Sequence, residues 1–294
     1  MSRSPQISGT ARSIFWSGAK RRLLKEAAGV LFRKPLAIKT TVPLVSFTFD
    51  DFPRSAFLEA SPILGRYGLL GTYYVSLGLM GKQSPLGAMF EAEDLKELSR
   101  LGHELGCHTF NHCHSWNTPP EVYEGAILKN QQALAAMLPG LSFQTFAYPI
   151  SAPRPGVKKV ASKHFLCCRG GGRRRINAGE VDLNLLSVNF LEKSRVDTAA
   201  IKAVIEQNAR ARGWLIFATH DVCDRPSPFG CTPKFFEQAI DWALESGSRI
   251  LSVREALNAL RGHAGINEPE SRLNFSVDWS SVDCSENTRN NGPH

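Results

Sequence analysis

Leu44-Val45-Ser46-Phe47-Thr48-Phe49-Asp50-Asp51 is the stretch on which the fold turns. Leu44, Val45, Phe47 and Phe49 make a short apolar run with a β-branched member, the pattern of a buried strand. The run ends on two adjacent carboxylates. Side by side, two like charges repel, and a cation, a metal or a proton must relieve one of them. A buried strand that delivers Asp50 and Asp51 together is the layout of a reaction site, which makes an enzyme the first expectation.

Downstream, strand-like and helix-like stretches alternate. Helical patterns run over Ala56–Tyr67, Ala92–Leu101, Pro120–Leu138, Thr198–Arg212, Thr232–Ser246 and Arg254–Leu260. Strand patterns run over Gly71–Leu77, His103–His108, Phe143–Tyr148, Phe165–Cys168, Leu183–Phe190, Trp214–Thr219 and Arg249–Val253. Thr232 followed by Pro233 reads as an N-cap and first helical position. This alternation predicts an α/β fold with a parallel sheet, open or closed as a barrel. The organisation expected is a basic arm over residues 1–39, a catalytic domain over 40–262, and a flexible polar tail over 263–294.

Charge follows that division. Residues 1–39 hold nine Lys or Arg against Glu26 alone, which equals the net charge of +8 of the whole 294-residue chain. The body is therefore near neutral, and nucleic-acid binding by it is not expected. Two readings of the arm stand: a partly helical segment packing on the body, and a basic amphipathic segment touching an anionic membrane surface. No apolar core with a small-residue cleavage site is evident, so no secretory signal is expected. Cys107, Cys113, Cys167, Cys168, Cys223, Cys231 and Cys284 are odd in number and form no Cys-x-x-Cys pair. Neither a disulfide framework nor a thiolate zinc site is predicted. The compartment expected is the cytoplasm, with the arm peripheral to the inner face of a membrane.

In parallel α/β folds, chemistry gathers at the carboxyl ends of strands. Four strand ends here carry suitable residues: Asp50-Asp51, His108-Thr109-Phe110-Asn111-His112, Pro149-Ile150-Ser151 and His220-Asp221. His108 and His112 are four apart, so one helical turn would bring both imidazoles to one side. With one carboxylate they form a two-His, one-carboxylate set suited to zinc or a related divalent metal. His114 is a second choice for the second imidazole. Asp51 as ligand leaves Asp50 as general base, and His220 suits a general acid. A nucleophile elbow, a phosphate loop, a dinucleotide fingerprint and a His-Glu-x-x-His motif are all missing.

These residues resemble the polysaccharide deacetylase family (carbohydrate esterase family four, which includes nodulation-type chitooligosaccharide deacetylases), from about Leu44 to Leu260. Thr48-Phe49-Asp50-Asp51 looks like its first motif, with a base followed by a metal ligand. His108-Thr109-Phe110-Asn111-His112 looks like its second, and Phe217-Ala218-Thr219-His220-Asp221 like its last, whose histidine is the acid. The third motif, often Arg-x-Pro-Tyr, reads Ala147-Tyr148-Pro149-Ile150 here, and an Asp-Trp fourth motif is not evident. The backbone amide at Ile150 still serves an oxyanion, while the orienting Arg is missing. Arg169, at the next strand end, is the candidate replacement, and Thr109 a further orienting candidate.

The resemblance implies a distorted (β/α) barrel. It also implies a divalent metal, most readily Zn2+, held by Asp51, His108 and His112, and removal of N-acetyl groups from an amino-sugar polymer or oligosaccharide. Tyr73, Tyr74, Trp116, Tyr148 and Phe229 are candidates either for stacking on sugar rings or for the core. Two rivals remain: the same fold acting on a non-sugar amide, and a catalytically silent glycan-binding protein.

Overall fold

The computed structural model describes residues 9–150, 152–170, 175–192 and 197–263. The expected strand over 44–49 becomes β1 (Leu44–Phe49), and all six residues are buried. Burial on both faces is what a central parallel strand requires. β2 (Thr72–Val75), β3 (Glu104–Cys107), β4 (Thr145–Ala147) and β5 (Cys167–Arg169) follow it on one side. On the other side lie β7 (Trp214–Thr219) and then β6 (Asn189–Phe190). β8 (Arg249–Ile250) pairs with Leu44 and Val45 at the start of β1. All these pairings are parallel.

The two edges of this sheet curl toward each other and are joined by residues 183–190. Cys168 N donates to Leu183 O (2.7 Å), and Leu186 N to Cys168 O (2.9 Å). Gly170 N donates to Leu186 O (3.0 Å), while Asn189 and Phe190 pair with Phe217 and Ala218. The result is the distorted (β/α) barrel expected. The strand expected over Leu183–Phe190 is shorter than its apolar run suggests. Asp182 Oδ1 accepts from Lys34 N and Asn184 N, and Leu185 N bonds Asp182 O. That turn removes the first residues from the ladder.

The helices are α1 (Gly9–Val30), α2 (Ser61–Arg66), α3 (Ala92–Arg100), α4 (Pro120–Met137), α5 (Pro155–Ala161), α6 (Thr198–Ala211), α7 (Pro233–Glu245) and α8 (Val253–His263). α5 lies where the sequence patterns name no element; Pro155 sits at its first helical position. Thr232 caps α7 by accepting from Phe235 N at 3.2 Å.

The layer between β1 and α7 is aromatic, with Phe47 and Phe49 both against Phe236 of α7 (5.3 and 5.5 Å). Phe47 stacks on Phe217 (5.6 Å), and Phe49 on Tyr73 (4.5 Å). At the opposite end from the carboxylates, buried Glu104 accepts from Thr72 Oγ1 (2.8 Å), Thr145 Oγ1 (2.6 Å) and Arg254 N (2.8 Å). It ties β2, β3 and β4 to the start of α8. The tail expected over 263–294 lies, beyond His263, outside the described residues.

Candidate active site

β1 ends with Asp50 and Asp51 pointing apart. Asp51 (φ 63°) and Phe52 (φ 61°) are both left-handed. Non-glycine residues rarely adopt that conformation, and it costs strain that surrounding packing must hold. Phe52 is clamped by stacking on Phe90 at 4.8 Å.

The histidines arrive differently from the sequence expectation. His108–His112 is an irregular loop and not a helical turn. Thr109 (φ 61°) and His112 (φ 52°) are left-handed, and two such reversals bring the imidazoles together. Thr109 fixes the loop by accepting from Cys113 N through Oγ1 at 2.9 Å. Gly78 lets it approach: Gly78 N donates to Phe110 O (2.8 Å), and a Cβ there would collide with Asn111 and Phe110. The ring centroids of His108 and His112 lie 5.0 Å apart.

Nε2 of His108 lies 3.4 Å from Asp51 Oδ1, and Nε2 of His112 lies 3.1 Å from it. Ligand atoms of the three residues all fall within 4.8 Å of one another. His114 stands apart from this cluster, with its Nδ1 accepting from Trp116 N at 3.1 Å. On its far side, His108 Nδ1 donates to Ala147 O at 2.8 Å. Burial pulls the His108 pKa down to about 4; His112 and Arg169 lower it as well, against the pull of Asp50 and Asp51. The ring is therefore neutral near pH 7. With its single proton on Nδ1, its Nε2 presents a lone pair to Asp51 Oδ1. That oxygen is buried and lacks a hydrogen-bond donor. Lone pairs facing each other at this distance call for a cation between them, so the donor set fits a divalent metal.

Asp50 belongs to a different partner. Arg169, buried at the end of β5, donates through Nη2 to Asp50 Oδ1. Its guanidinium lies over the Tyr74 ring at 4.4 Å. Burial alone would raise the Asp50 pKa. Arg169, His108 and His220 outweigh it, and the carboxyl stays below its ordinary range. An ionised, buried carboxylate beside a metal-fitting cluster can accept a proton.

His220 follows β7, half-buried. Its backbone N and its Nδ1 both donate to Phe229 O at 3.3 Å. That carbonyl is held by a clamped loop. Asp221 accepts from Ser227 N (2.6 Å) and Ser227 Oγ (2.5 Å), and Gly230 packs where a Cβ would meet the Asp221 backbone. Ile150, after β4, is left-handed (φ 69°) and 61% exposed. A β-branched residue in that conformation marks strain at a rim position.

Of the aromatics named as stacking candidates, Tyr73, Tyr74 and Tyr148 are buried and belong to the core. Trp116 is half-buried, and its Nε1 donates to Ala152 O at 2.8 Å, joining the loops after β3 and β4. Phe229 is 48% exposed beside His220. Tyr74, a core aromatic, lies under the Arg169 guanidinium, and two contributors have no counterpart in the sequence reading: the Ala147 carbonyl and the Phe229 carbonyl. Both act through backbone atoms and leave no residue signature. The six cysteines among the described residues are all free.

Residues 37–166 match the profile of the Polysaccharide deacetylase family. No curated protein matches the chain. Among solved structures, the chitin deacetylase of the fungal pathogen Colletotrichum lindemuthianum is 16% identical. It covers 75% of this chain and 89% of its own, with a TM-score of 0.50. A family 4 acetyl xylan esterase from Clostridium thermocellum is 22% identical over 74% of this chain and 92% of its own, TM-score 0.48. The peptidoglycan deacetylase PdaC of Bacillus subtilis is 14% identical over 76% and 94%, TM-score 0.47.

Proposed function

We propose that this chain, a member of the polysaccharide deacetylase family through residues 37–166, is a metal-dependent hydrolase that removes N-acetyl groups from an amino-sugar polymer or oligosaccharide. The observation that carries this reading is the division of the two β1 carboxylates. Asp51 faces two imidazoles, and Asp50 faces a guanidinium.

Asp51, His108 and His112 would hold the ion, with Zn2+ favoured by two imidazoles and one carboxylate and by positions left open for substrate. When bound, a divalent ion supplies Lewis acidity toward the acetyl carbonyl and acidifies the attacking water. Asp50 takes the proton of that water. Arg169 keeps Asp50 ionised and fixes its direction. The Ile150 amide donates to the developing oxyanion. His220, held through Nδ1 by the Phe229 carbonyl, presents Nε2 to the departing amine and protonates it. His108 is oriented by the Ala147 carbonyl, and Thr109 holds the loop between the two histidines.

The ground for the alternative, a non-sugar amide, is Ala147, where the orienting Arg of the third motif is missing. Arg169 supplies that contact from β5, so the altered motif no longer favours it. The test is acetate release from chitooligosaccharides by metal-loaded protein. Asp50→Asn should retain metal and lose a factor of about 100 to 10,000 in rate. Failure to release acetate from any acetylated glycan would sink the proposal.

A further inference from the structure

We propose that the outward face of α1 docks this protein onto an anionic membrane surface. This is independent of the reaction at the site.

α1 is fastened to the barrel along one side. Lys158, wholly buried on α5, donates to Ala28 O and Leu31 O at 2.7 Å each, and to Asp182 Oδ2 at 2.5 Å. Asn184 Nδ2 donates to Phe32 O at 2.8 Å, just past the helix end. Nearer its start, the Arg21 guanidinium lies 5.1 Å from the centre of the Trp116 ring. Ala28 is buried in this contact.

The opposite side is open and mixed: exposed Glu26, three residues after Leu23 and four before Val30, lies between these two apolar side chains. Leu23 and Val30, seven residues apart, share one face of the helix. They are 70% and 68% exposed, and exposed Leu31 and Phe32 continue the patch. Cations border it: Lys20, Arg22 and Lys25 are exposed on α1, and Lys159 Nζ lies 5.5 Å from the Phe32 ring centre. Glu26 is the one acidic residue between positions 1 and 39.

Three occupants could cover such a face. A soluble polyanion would use the cations and leave Leu23 and Val30 in water. A second copy in a two-fold dimer would set this cationic face against itself. An anionic bilayer satisfies both features: phosphates meet the cations, and the aliphatic side chains enter the headgroup boundary. No helix among the described residues is long and apolar enough to cross a membrane, so the contact is a surface one. α1 packs beside α5, with Arg21 at the loop that carries His112 and His114.

The test uses the full chain and flotation with vesicles. It should float with phosphatidylcholine mixed with phosphatidylglycerol and stay unbound with phosphatidylcholine alone. Leu23→Glu combined with Val30→Glu should weaken binding by about tenfold or more, with thermal stability unchanged. Each charge removal at Lys20, Arg22 or Lys25 should weaken it roughly fivefold. No flotation with the anionic vesicles overturns the proposal, as does flotation that the Leu23/Val30 variant leaves intact. A dimer in light scattering that the same variant dissolves would assign the face to a second copy and overturn it too.

Discussion

Arg169, at the end of β5, donates through Nη2 to Oδ1 of Asp50, at the end of β1. Three strands separate the two in the sheet, so the contact spans the barrel mouth. The guanidinium holds the Asp50 carboxyl below its ordinary range against the upward push of burial. Removing it should let that pKa rise. The acidic limb of the kcat/KM profile should then move to higher pH in Arg169→Ala, with a rate loss of at least about tenfold near neutrality. Arg169→Lys should recover part of the rate. Metal content should match the parent protein, since Arg169 touches no proposed ligand. An acidic limb that stays in place would remove Arg169 from its role.

Metal binding should depend on the three residues that face one another. His108→Ala removes a neutral imidazole whose proton is fixed by the Ala147 carbonyl. We expect loss of bound metal by elemental analysis and loss of hydrolysis together. A chelator should abolish activity in the parent protein, and Zn2+ should restore it. Because Asp51 Oδ1 is buried without a donor, metal should also raise the thermal midpoint. His108→Ala should show no such rise. A midpoint indifferent to metal in the parent protein counts against the assignment.

What the sequence disclosed here follows from physics that is local in the chain. A six-residue buried strand ending in Asp50-Asp51 announces itself through hydropathy, and so does the run before His220. The strand ends could be paired into one site because parallel strands bring their carboxyl ends to one side. What stayed hidden depended on tertiary constraint. The His108–His112 spacing suits a helical turn, yet left-handed Thr109 and His112 deliver the same juxtaposition through a loop. Leu183–Leu185 has strand composition, yet Asp182 captures the Asn184 and Lys34 amides and turns the chain. Ala147 looked like a deficit because its side chain lacks a guanidinium. Its carbonyl orients His108, and the guanidinium comes from a strand 22 residues later.

Acid sensitivity should trace in part to His103, which lies before β3 and away from the site. Gly71 N donates to its Nδ1 (3.0 Å), so Nε2 carries the proton and donates to Ser61 Oγ (2.8 Å). Burial holds its pKa at about 3, against 6.5 for the free side chain. Between those values the unfolded chain binds a proton that the folded one refuses. Stability should therefore fall as pH drops below about 6.5, with a limiting slope near ~1.4 kcal/mol per pH unit from this group. Denaturant titrations of the parent and His103→Gln should show the parent's advantage shrinking across that window. An advantage independent of pH would show that His103 is not the titrating group.

Lys158 should be the largest single polar contributor to the hold on α1. Its ammonium is fully buried and has three acceptors, two of them carbonyls at the end of α1 and the third Asp182. Lys158→Met keeps the length and apolar stem but leaves the Asp182 carboxylate without its cation. Breaking one side of a buried pair typically costs about 3–5 kcal/mol, because the remaining charge is desolvated and uncompensated. Asp182 keeps the Lys34 and Asn184 amides on its other oxygen, which places the expected loss toward the lower end. Adding Asp182→Asn removes the stranded charge, so the double variant should be more stable than Lys158→Met alone. Proteolysis should cut the single variant between α1 and β1 well before the parent protein. A single variant as stable and as resistant as the parent would mean that α1 is held by its apolar contacts instead.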